Sequence, residues 1–256
     1  MLASSLLPPR LQVVHDLVTP GARVADIGCD HCLLGIALAN SGTARHVIAC
    51  DASLHALAKA GKNIEMHAIQ PRAIDCRLSD GFDALEPHEV EECTMTGLGL
   101  PKIISILNKA GMPCGISGLV LQPVEPRLTL LAGLRATLWA HGFMVERERY
   151  SQDQNRHYLT IRAKARTTEH GGLPCERELL LGPRSSLCKH SPARFAGFLT
   201  EQRCLIAKEM IGMQRGLASA RDLSGAEGLR LREKLEQHER WSDFIDEQIR
   251  WCTRLL

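Results

Sequence analysis

The order of apolar and polar positions divides the chain into short apolar runs of strand length and longer amphipathic stretches. From Leu11 to Val18 the apolar positions recur at helical spacing, and Thr19-Pro20-Gly21 ends the run. Arg23–Ile27 is short and β-rich and stops at Gly28, and an apolar helical run follows over Cys32–Ala39. The alternation repeats with a strand at His46–Cys50, a helix at Leu54–Ile64 and a strand at Ile74–Leu78 that ends in Ser79-Asp80-Gly81. Further strands are predicted over Glu92–Thr96 and Gly118–Gln122. A helix over Arg127–Ala140 and closing strands at Phe143–Arg149 and His157–Arg162 complete this part.

Strands alternating with helices imply right-handed βαβ units and a mostly parallel sheet. The last two strands break the rule. A polar turn, Ser151–Arg156, joins them without a helix, so they are expected to pair antiparallel at the sheet edge. Five parallel strands closed by such a hairpin form the arrangement of Rossmann-like methyltransferases rather than of nicotinamide dehydrogenases. Beyond Ala163 the chain reads as a linker with one short element at Glu176–Leu181. Two amphipathic stretches follow, one carrying Phe195, Phe198, Leu199, Leu205, Met210 and Met213, the other Leu231, Leu235, Trp241, Ile245 and Ile249. With Ser224-Gly225 in the turn, they predict an antiparallel helical hairpin. The expected architecture is an α/β, Rossmann-like class I methyltransferase sheet over residues 1–165, then a linker and coiled-coil-like helical domain over 166–256.

Composition refines this picture. With 256 residues, 45% of them hydrophobic, the chain can bury one sizeable core and a smaller second one. Aromatic residues are only 4%, so Leu, Ile, Val and Ala must fill the core. The N-terminus lacks a secretion signal and no run approaches the roughly 18 apolar residues of a membrane span, which predicts a cytoplasmic protein. In that compartment the ten cysteines read as reduced thiols, many of them core residues. The net charge of +2 is unevenly spread. From Arg162 onward there are 17 Lys and Arg against 13 Asp and Glu, a surplus of +4 that leaves −2 for the rest. A basic C-terminal third suits a polyanionic partner, and equally a solvated face.

Candidate chemistry lies in the loops after the strands, because ligands of doubly wound sheets sit beyond the strands' carboxyl ends. The first loop reads Asp26-Ile27-Gly28-Cys29-Asp30-His31. Gly28 would let the backbone approach a ligand, but Asp30 stands where a dinucleotide fingerprint needs glycine. A carboxylate there repels a pyrophosphate and suits a phosphate-free cofactor with a cationic end, as S-adenosyl-L-methionine has. Capping of the next helix is the other reading of Asp30. Asp51 ends the second strand, where it could accept bonds from ribose hydroxyls, and Asp80 with Gly81 ends the third, where the adenine edge would lie. Cys29 and Cys32 form a C-x-x-C that also matches a redox site, against packing thiols as the plainer reading. No metal site is expected. The loops Thr96-Gly97-Leu98-Gly99-Leu100 and Gln122-Pro123 should face the methyl group. Neither holds the Asn-Pro-Pro-aromatic loop of exocyclic amine methyltransferases, so a ring nitrogen is the expected target.

These residues resemble the bacterial tRNA (adenine-22-N1)-methyltransferase family, TrmK. The resemblance rests on Arg10-Leu11, ADIGCDHCLL over Ala25–Leu34, the Gly97–Gly99 loop, Leu119–Pro123, the apolar strand after Tyr158, and Leu180-Leu181-Gly182-Pro183. It implies methyl transfer from S-adenosylmethionine to N1 of an adenine in tRNA, position 22 in the family; a monomer or homodimer is expected. Asp26, Gly28, Asp30, Asp51, Asp80, Gly81, Thr96 and Gly97 would bind the cofactor, and Asp30, His31 and Gln122 would handle protons or orient the base. His31 as a structural loop residue stays open. The family's Ala-Gly-Met-Gly-Gly and Gln-Pro-Asn are replaced here by residues 96–100 and by Gln122-Pro123-Val124. Leu98, Leu100 and Val124 thus mark altered substrate-facing loops. Methylation of another RNA base or a small molecule is the alternative activity, as is a weakened family member.

Overall fold

The computed structural model describes residues 7–67, 69–70, 73–109, 112–167, 174–183, 192–219 and 225–255. Elements follow in the order α1 (Pro9–His15), β1 (Ala22–Ile27), α2 (Leu33–Asn40), β2 (Ala44–Asp51), α3 (Leu54–Met66), β3 (Ile74–Leu78), β4 (Glu92–Thr96), α4 (Leu100–Asn108), β5 (Gly118–Gln122), α5 (Leu128–Ala140), β6 (Phe143–Asp153) and β7 (Arg156–Ala165). Three helices close the chain: α6 (Glu176–Leu181), α7 (Pro192–Ser219) and α8 (Ala226–Thr253). By compactness the chain forms two units, Met1–Pro126 with Gly133–Leu173, and Arg127–Ala132 with Pro174–Leu256. The second unit therefore takes the start of α5 in addition to the C-terminal helices.

The first unit carries a seven-stranded sheet in the order β3-β2-β1-β4-β5-β7-β6. Strands β1 to β5 are parallel, and β7 runs antiparallel to both β5 and β6. The central strands β1, β4 and β5 are buried almost throughout, only Arg23 and Thr96 being half-buried, which is why they show no regular in–out alternation. Val24, Val47 and Val120 on one face pack with Leu11, Val14, Leu34 and Leu38 of α1 and α2. The register Asp26↔Thr94 and Thr96↔Gln122 aligns the carboxyl ends of the central strands along one row.

Three local departures from the expected elements have physical causes. Helix α1 starts earlier and stops at His15, because Pro9 enters at its first turn, where a missing N–H costs nothing. Leu17 and Val18 still pack into the core from the turn that follows. Helix α4 was not foreseen: Pro101 looks like a breaker but lies in the first turn, and Ile103, Ile106 and Leu107 bury its inner face. The edge hairpin is longer than expected. Its turn is only Gln154-Asn155, both at positive φ (45° and 62°), the geometry of a tight two-residue hairpin. Polar composition over Ser151–Arg156 disguised strand as turn, since an edge hairpin keeps its ladder with polar side chains.

In the second unit the pairs Arg203–Asp246, Glu209–His238 and Gly216–Leu231 run in opposite order along α7 and α8, so these helices are antiparallel. Phe195, Phe198, Leu199, Ile206 and Met213 of α7 and Trp241, Ile245 and Cys252 of α8 are buried. Leu205, Leu235 and Ile249, expected on the same stripes, are not among the fully buried residues. At the start of α5, the Leu128 amide donates to Gln202 Oε1 (3.0 Å) and Arg127 bonds Glu209 (2.7 Å). Ser224, predicted in the hairpin turn, lies outside the described residues.

Cys29, Cys32, Cys50, Cys76, Cys93, Cys114, Cys175 and Cys204 are free thiols. Cys252 is disulfide-bonded, a correction to the expectation of reduced cysteines. Among the described residues no helix is long and apolar enough to cross a membrane.

Candidate active site

The loop from β1 to α2 is tied to the end of β2 before any side chain is considered. The amides of Gly28 and Cys29 both donate to the Cys50 carbonyl (2.8 and 3.0 Å), and the Cys32 amide donates to Cys29 O (2.7 Å). Bending this tightly requires left-handed backbone at Gly28 (φ 74°), Asp30 (φ 46°) and Cys32 (φ 57°). At Gly28 a second demand adds to the first: a Cβ would lie 3.1 Å from Leu98 Cδ2. Non-glycine residues at positive φ are uncommon and cluster at ligand sites, which marks Asp30 and Cys32.

Asp51 locks the second and first loops together. Its Oδ2 accepts the Asp30 amide (3.1 Å) and its Oδ1 accepts the Ser53 amide (2.8 Å). Each carboxylate oxygen retains a second lone pair, so the tie leaves acceptor capacity for a diol. Asp30 does not cap α2: Cys32 holds that position, with no side-chain cap bond. The Asp30 carboxylate instead projects outward, 70% exposed, with His31 Nε2 3.6 Å away and itself 45% exposed. The His31 carbonyl accepts from Asn63 Nδ2 (2.9 Å), so its backbone is anchored while its ring stays at the rim.

Asp26 lies one residue inside the end of β1 and is 2% exposed. Thr94 Oγ1 donates to its Oδ1 at 2.7 Å, and no Lys or Arg pairs with it among the described residues. Burial pushes its carboxyl up to about 6 against that hydrogen bond, and the Asp51 charge adds to the rise. The same burial raises the thiols: Cys50 is pushed up to about 12, and Cys29 and Cys32 rise further with Asp26 beside them. Cys29 and Cys32 are buried in one apolar cluster with Ile36, Ala49 and Ala60, the setting of packing thiols rather than of an accessible redox pair.

The third loop is organised by α4. Lys102 Nζ and Lys109 Nζ bond the Asp80 carboxylate (2.9 and 3.3 Å), and these bonds hold its carboxyl below the usual range. At Gly81 (φ 72°) a Cβ would meet Ile106 of α4 at 3.0 Å, so the glycine is required by helix packing. A hollow of about 290 Å³ lined by Ala52, Leu78, Ser79, Asp80, Asp83 and Ala84 lies beside this loop. Its apolar lining is Ala52, Leu78 and Ala84, while the Asp80 and Asp83 carboxylates at its edge are tied to Lys109.

The substrate-side loops interlock as well. The Gly97 amide donates to Gln122 O (3.2 Å) and the Val124 amide to Leu98 O (3.1 Å). Thr96 ends β4 on the same row as Gln122, while Leu100, 2% exposed, starts α4 and spends its bulk in the core. Gln122 is 1% exposed, and both hydrogens of its amide are taken, by Arg10 O (2.9 Å) and Thr160 Oγ1 (2.6 Å). Its Oε1 faces the Arg10 guanidinium at 3.4 Å. Gln122 thus positions Arg10 rather than presenting an amide to a base. Sequence reasoning overlooked Thr94, Thr160 and the lysines of α4, all of which become neighbours only through strand register or helix packing.

The profile of the methyltransferase-domain family matches residues 7–161. The tRNA (adenine(22)-N(1))-methyltransferase of Bacillus subtilis (strain 168) is 26% identical over 181 residues, 69% of this chain and 74% of that protein. The crystal structure of the B. subtilis m1A22 tRNA methyltransferase TrmK superposes with a TM-score of 0.74 at 22% identity, covering 95% of this chain and 98% of that one. A candidate tRNA (m1A22) methyltransferase from Streptococcus pneumoniae, solved with S-adenosyl-L-methionine, gives 0.65 at 25% identity over 90% and 97% of the two chains.

Proposed function

The chain belongs to the methyltransferase-domain family, and on that premise we propose that it transfers a methyl group from S-adenosyl-L-methionine to N1 of an adenine in tRNA, position 22 by likeness to its relatives. The observation that carries the cofactor assignment is the first loop: folded onto Asp51, bent tightly at Gly28, and carrying Asp26 and Asp30 without a lysine or arginine partner among the described residues. Such a site favours a cationic, phosphate-free ligand and disfavours a dinucleotide. Asp51 would hold the ribose, the Asp80-Gly81 backbone and adjoining hollow the adenine, and Asp26 with Gly97 and Thr96 the amino acid end.

The bound cofactor supplies an electrophilic methyl group on a sulfonium. Adenine N1 carries its lone pair in the ring plane, so no proton need leave before attack and the protein's task is orientation and exclusion of water. The base would leave its stack, at a cost of roughly a few kcal/mol, and enter between the Gly97–Gly99 loop and Pro123. The product ring is cationic, and the outward carboxylate of Asp30 with His31 beside it would stabilise that charge. Basic residues of α7 and α8 would contact tRNA phosphates. A tRNA substrate would place the protein in the cytoplasm.

The test is methyl incorporation from labelled S-adenosylmethionine into unmodified tRNA, with product nucleosides mapped and Asp26→Ala as control. N1-methyladenosine, abolished in the control, is the expected result. Cofactor binding without any incorporation into RNA would overturn the substrate assignment.

A further inference from the structure

Arginines in the sheet unit fall into two groups. Arg23, Arg45, Arg77, Arg135 and Arg162 are all ion-paired, with Glu91, Glu91, Glu89, Glu148 and Glu92 respectively. Arg10, Arg149 and Arg156 have no carboxylate within 4.0 Å among the described residues, and neither do Arg147 and Arg166 at the amino end of β5. The first three share a location. Strand β7 pairs with β5 up to Ile161, with Thr160 and its partner Arg149 abreast of Gln122, the last residue of β5, so Arg156–Leu159 and their partners Tyr150–Asp153 run past the carboxyl end of β5. From Thr160 to Arg156 that overhang is roughly 13 Å, and it stands on the side where the cofactor loops open.

Register places the charges on one face of this overhang. Arg149 lies opposite Thr160, Ser151 opposite Tyr158, and Asp153 opposite Arg156, and Thr160 Oγ1 is the group bonded by Gln122. Arg10 reaches the same face from α1: its guanidinium carbon is 5.5 Å from the centre of the Tyr158 ring and its Nη1 3.4 Å from Gln122 Oε1. Asp153, across from Arg156, forms no ion pair with it. Both amide hydrogens of buried Gln122 and one lone pair of its Oε1 go to holding this arrangement.

We propose that the projecting β6–β7 hairpin, with Arg10, is a phosphate-gripping rim that holds the RNA strand flanking the target base. This rests on the RNA reading given above. Guanidiniums left unpaired repel each other and gain most from a polyanion, and their planar forks match phosphate oxygens two at a time. Arg10, braced on Tyr158 and Gln122, is the fixed member; Arg149 and Arg156 on the open hairpin adapt to the strand. A rim beside the cofactor loops keeps the extruded nucleotide's neighbours in register while leaving the base free to enter.

The experiment is a salt titration of tRNA binding by the full-length protein, between about 50 and 200 mM salt. Arg149→Ala with Arg156→Ala is expected to weaken binding about tenfold at the low end and to flatten the log–log salt slope by about one to two. Cofactor affinity should stay at the wild-type value, and lysines at both positions should restore most of the binding. Should the double variant lose cofactor binding, Arg156→Glu at its exposed site carries the same expectation. Wild-type affinity and slope in these variants would overturn the rim while leaving the RNA reading intact. Failure of the wild-type protein itself to bind tRNA would overturn both.

Discussion

Asp26 and Glu92 are buried carboxylates on adjacent paired strands, and the fold treats them in opposite ways. Glu92 begins β4, 3% exposed, and receives two bonds from the Arg162 guanidinium and one from the Thr19 amide (3.1 Å). Burial pushes its carboxyl up, but the bonds from Arg162 and Thr19 outweigh this and hold it below the usual range. Asp26, near the other end of β1, has Thr94 and no cation among the described residues, and its carboxyl rises to about 6. Around Glu92 the cleft of about 880 Å³ contains nearly as many carboxylates as cations, including Glu91 with Arg45 and Glu146 with Lys164. At the amino end of the sheet most charges are therefore paired, with Arg147 and Arg166 the exceptions among the described residues. The carboxyl end keeps an unspent negative charge inside and unspent positive charges on its rim, which is the arrangement a cationic cofactor and a polyanionic substrate together would complete.

Breaking the Glu92–Arg162 pair should have the largest effect. Arg162→Met leaves Glu92 buried without its cation and is expected to cost about 3–5 kcal/mol in urea unfolding, while Arg162→Met combined with Glu92→Met recovers most of the loss. Asp26→Asn should act with the opposite sign. The folded carboxyl titrates at about 6 against an ordinary 3.8, so the folded state binds the proton more tightly. Stability is thus fully present below about 3.8 and is lost as pH rises through about 6. At pH 7.5 the variant should be more stable than the wild type by up to ~3 kcal/mol without cofactor, and the gap should close in acid. Calorimetric titration should show that the same variant binds S-adenosylmethionine more weakly.

Smaller effects sharpen the contrast. Gly28→Ala combines a left-handed backbone with a 3.1 Å approach to Leu98, and should cost about 1–2 kcal/mol together with cofactor affinity. Adding Leu98→Ala should relieve only the contact. Lys102→Ala with Lys109→Ala should leave stability unchanged, because these pairs are exposed. The Asp80 carboxyl should then climb back toward its ordinary range, which carboxyl-carbon NMR titration would read.

Strand ends were legible because burial on both faces forces continuous apolar runs, and three strand-end acids stood out against them. Ile74–Leu78, Glu92–Thr96 and Gly118–Gln122 fall where the pattern put them. Helix α4 escaped notice because proline in a first turn looks the same in sequence as proline in a breaker. The hairpin's reach escaped because exposed strand and turn share polar residues. The role of Gln122 could not be read at all: its partners Arg10 and Thr160 lie 112 and 38 residues away.

By itself, then, the order of residues determined which segments are strands and which loops must carry the ligand, because periodicity and glycine placement are local properties. It also determined the chemical character of the cofactor loop, since Asp26, Gly28 and Asp30 are neighbours along the chain. Only the tertiary structure decided which charges remain available. Whether a carboxylate or guanidinium is neutralised depends on what strand pairing and helix packing bring within about 4 Å, and those partners are distant in sequence.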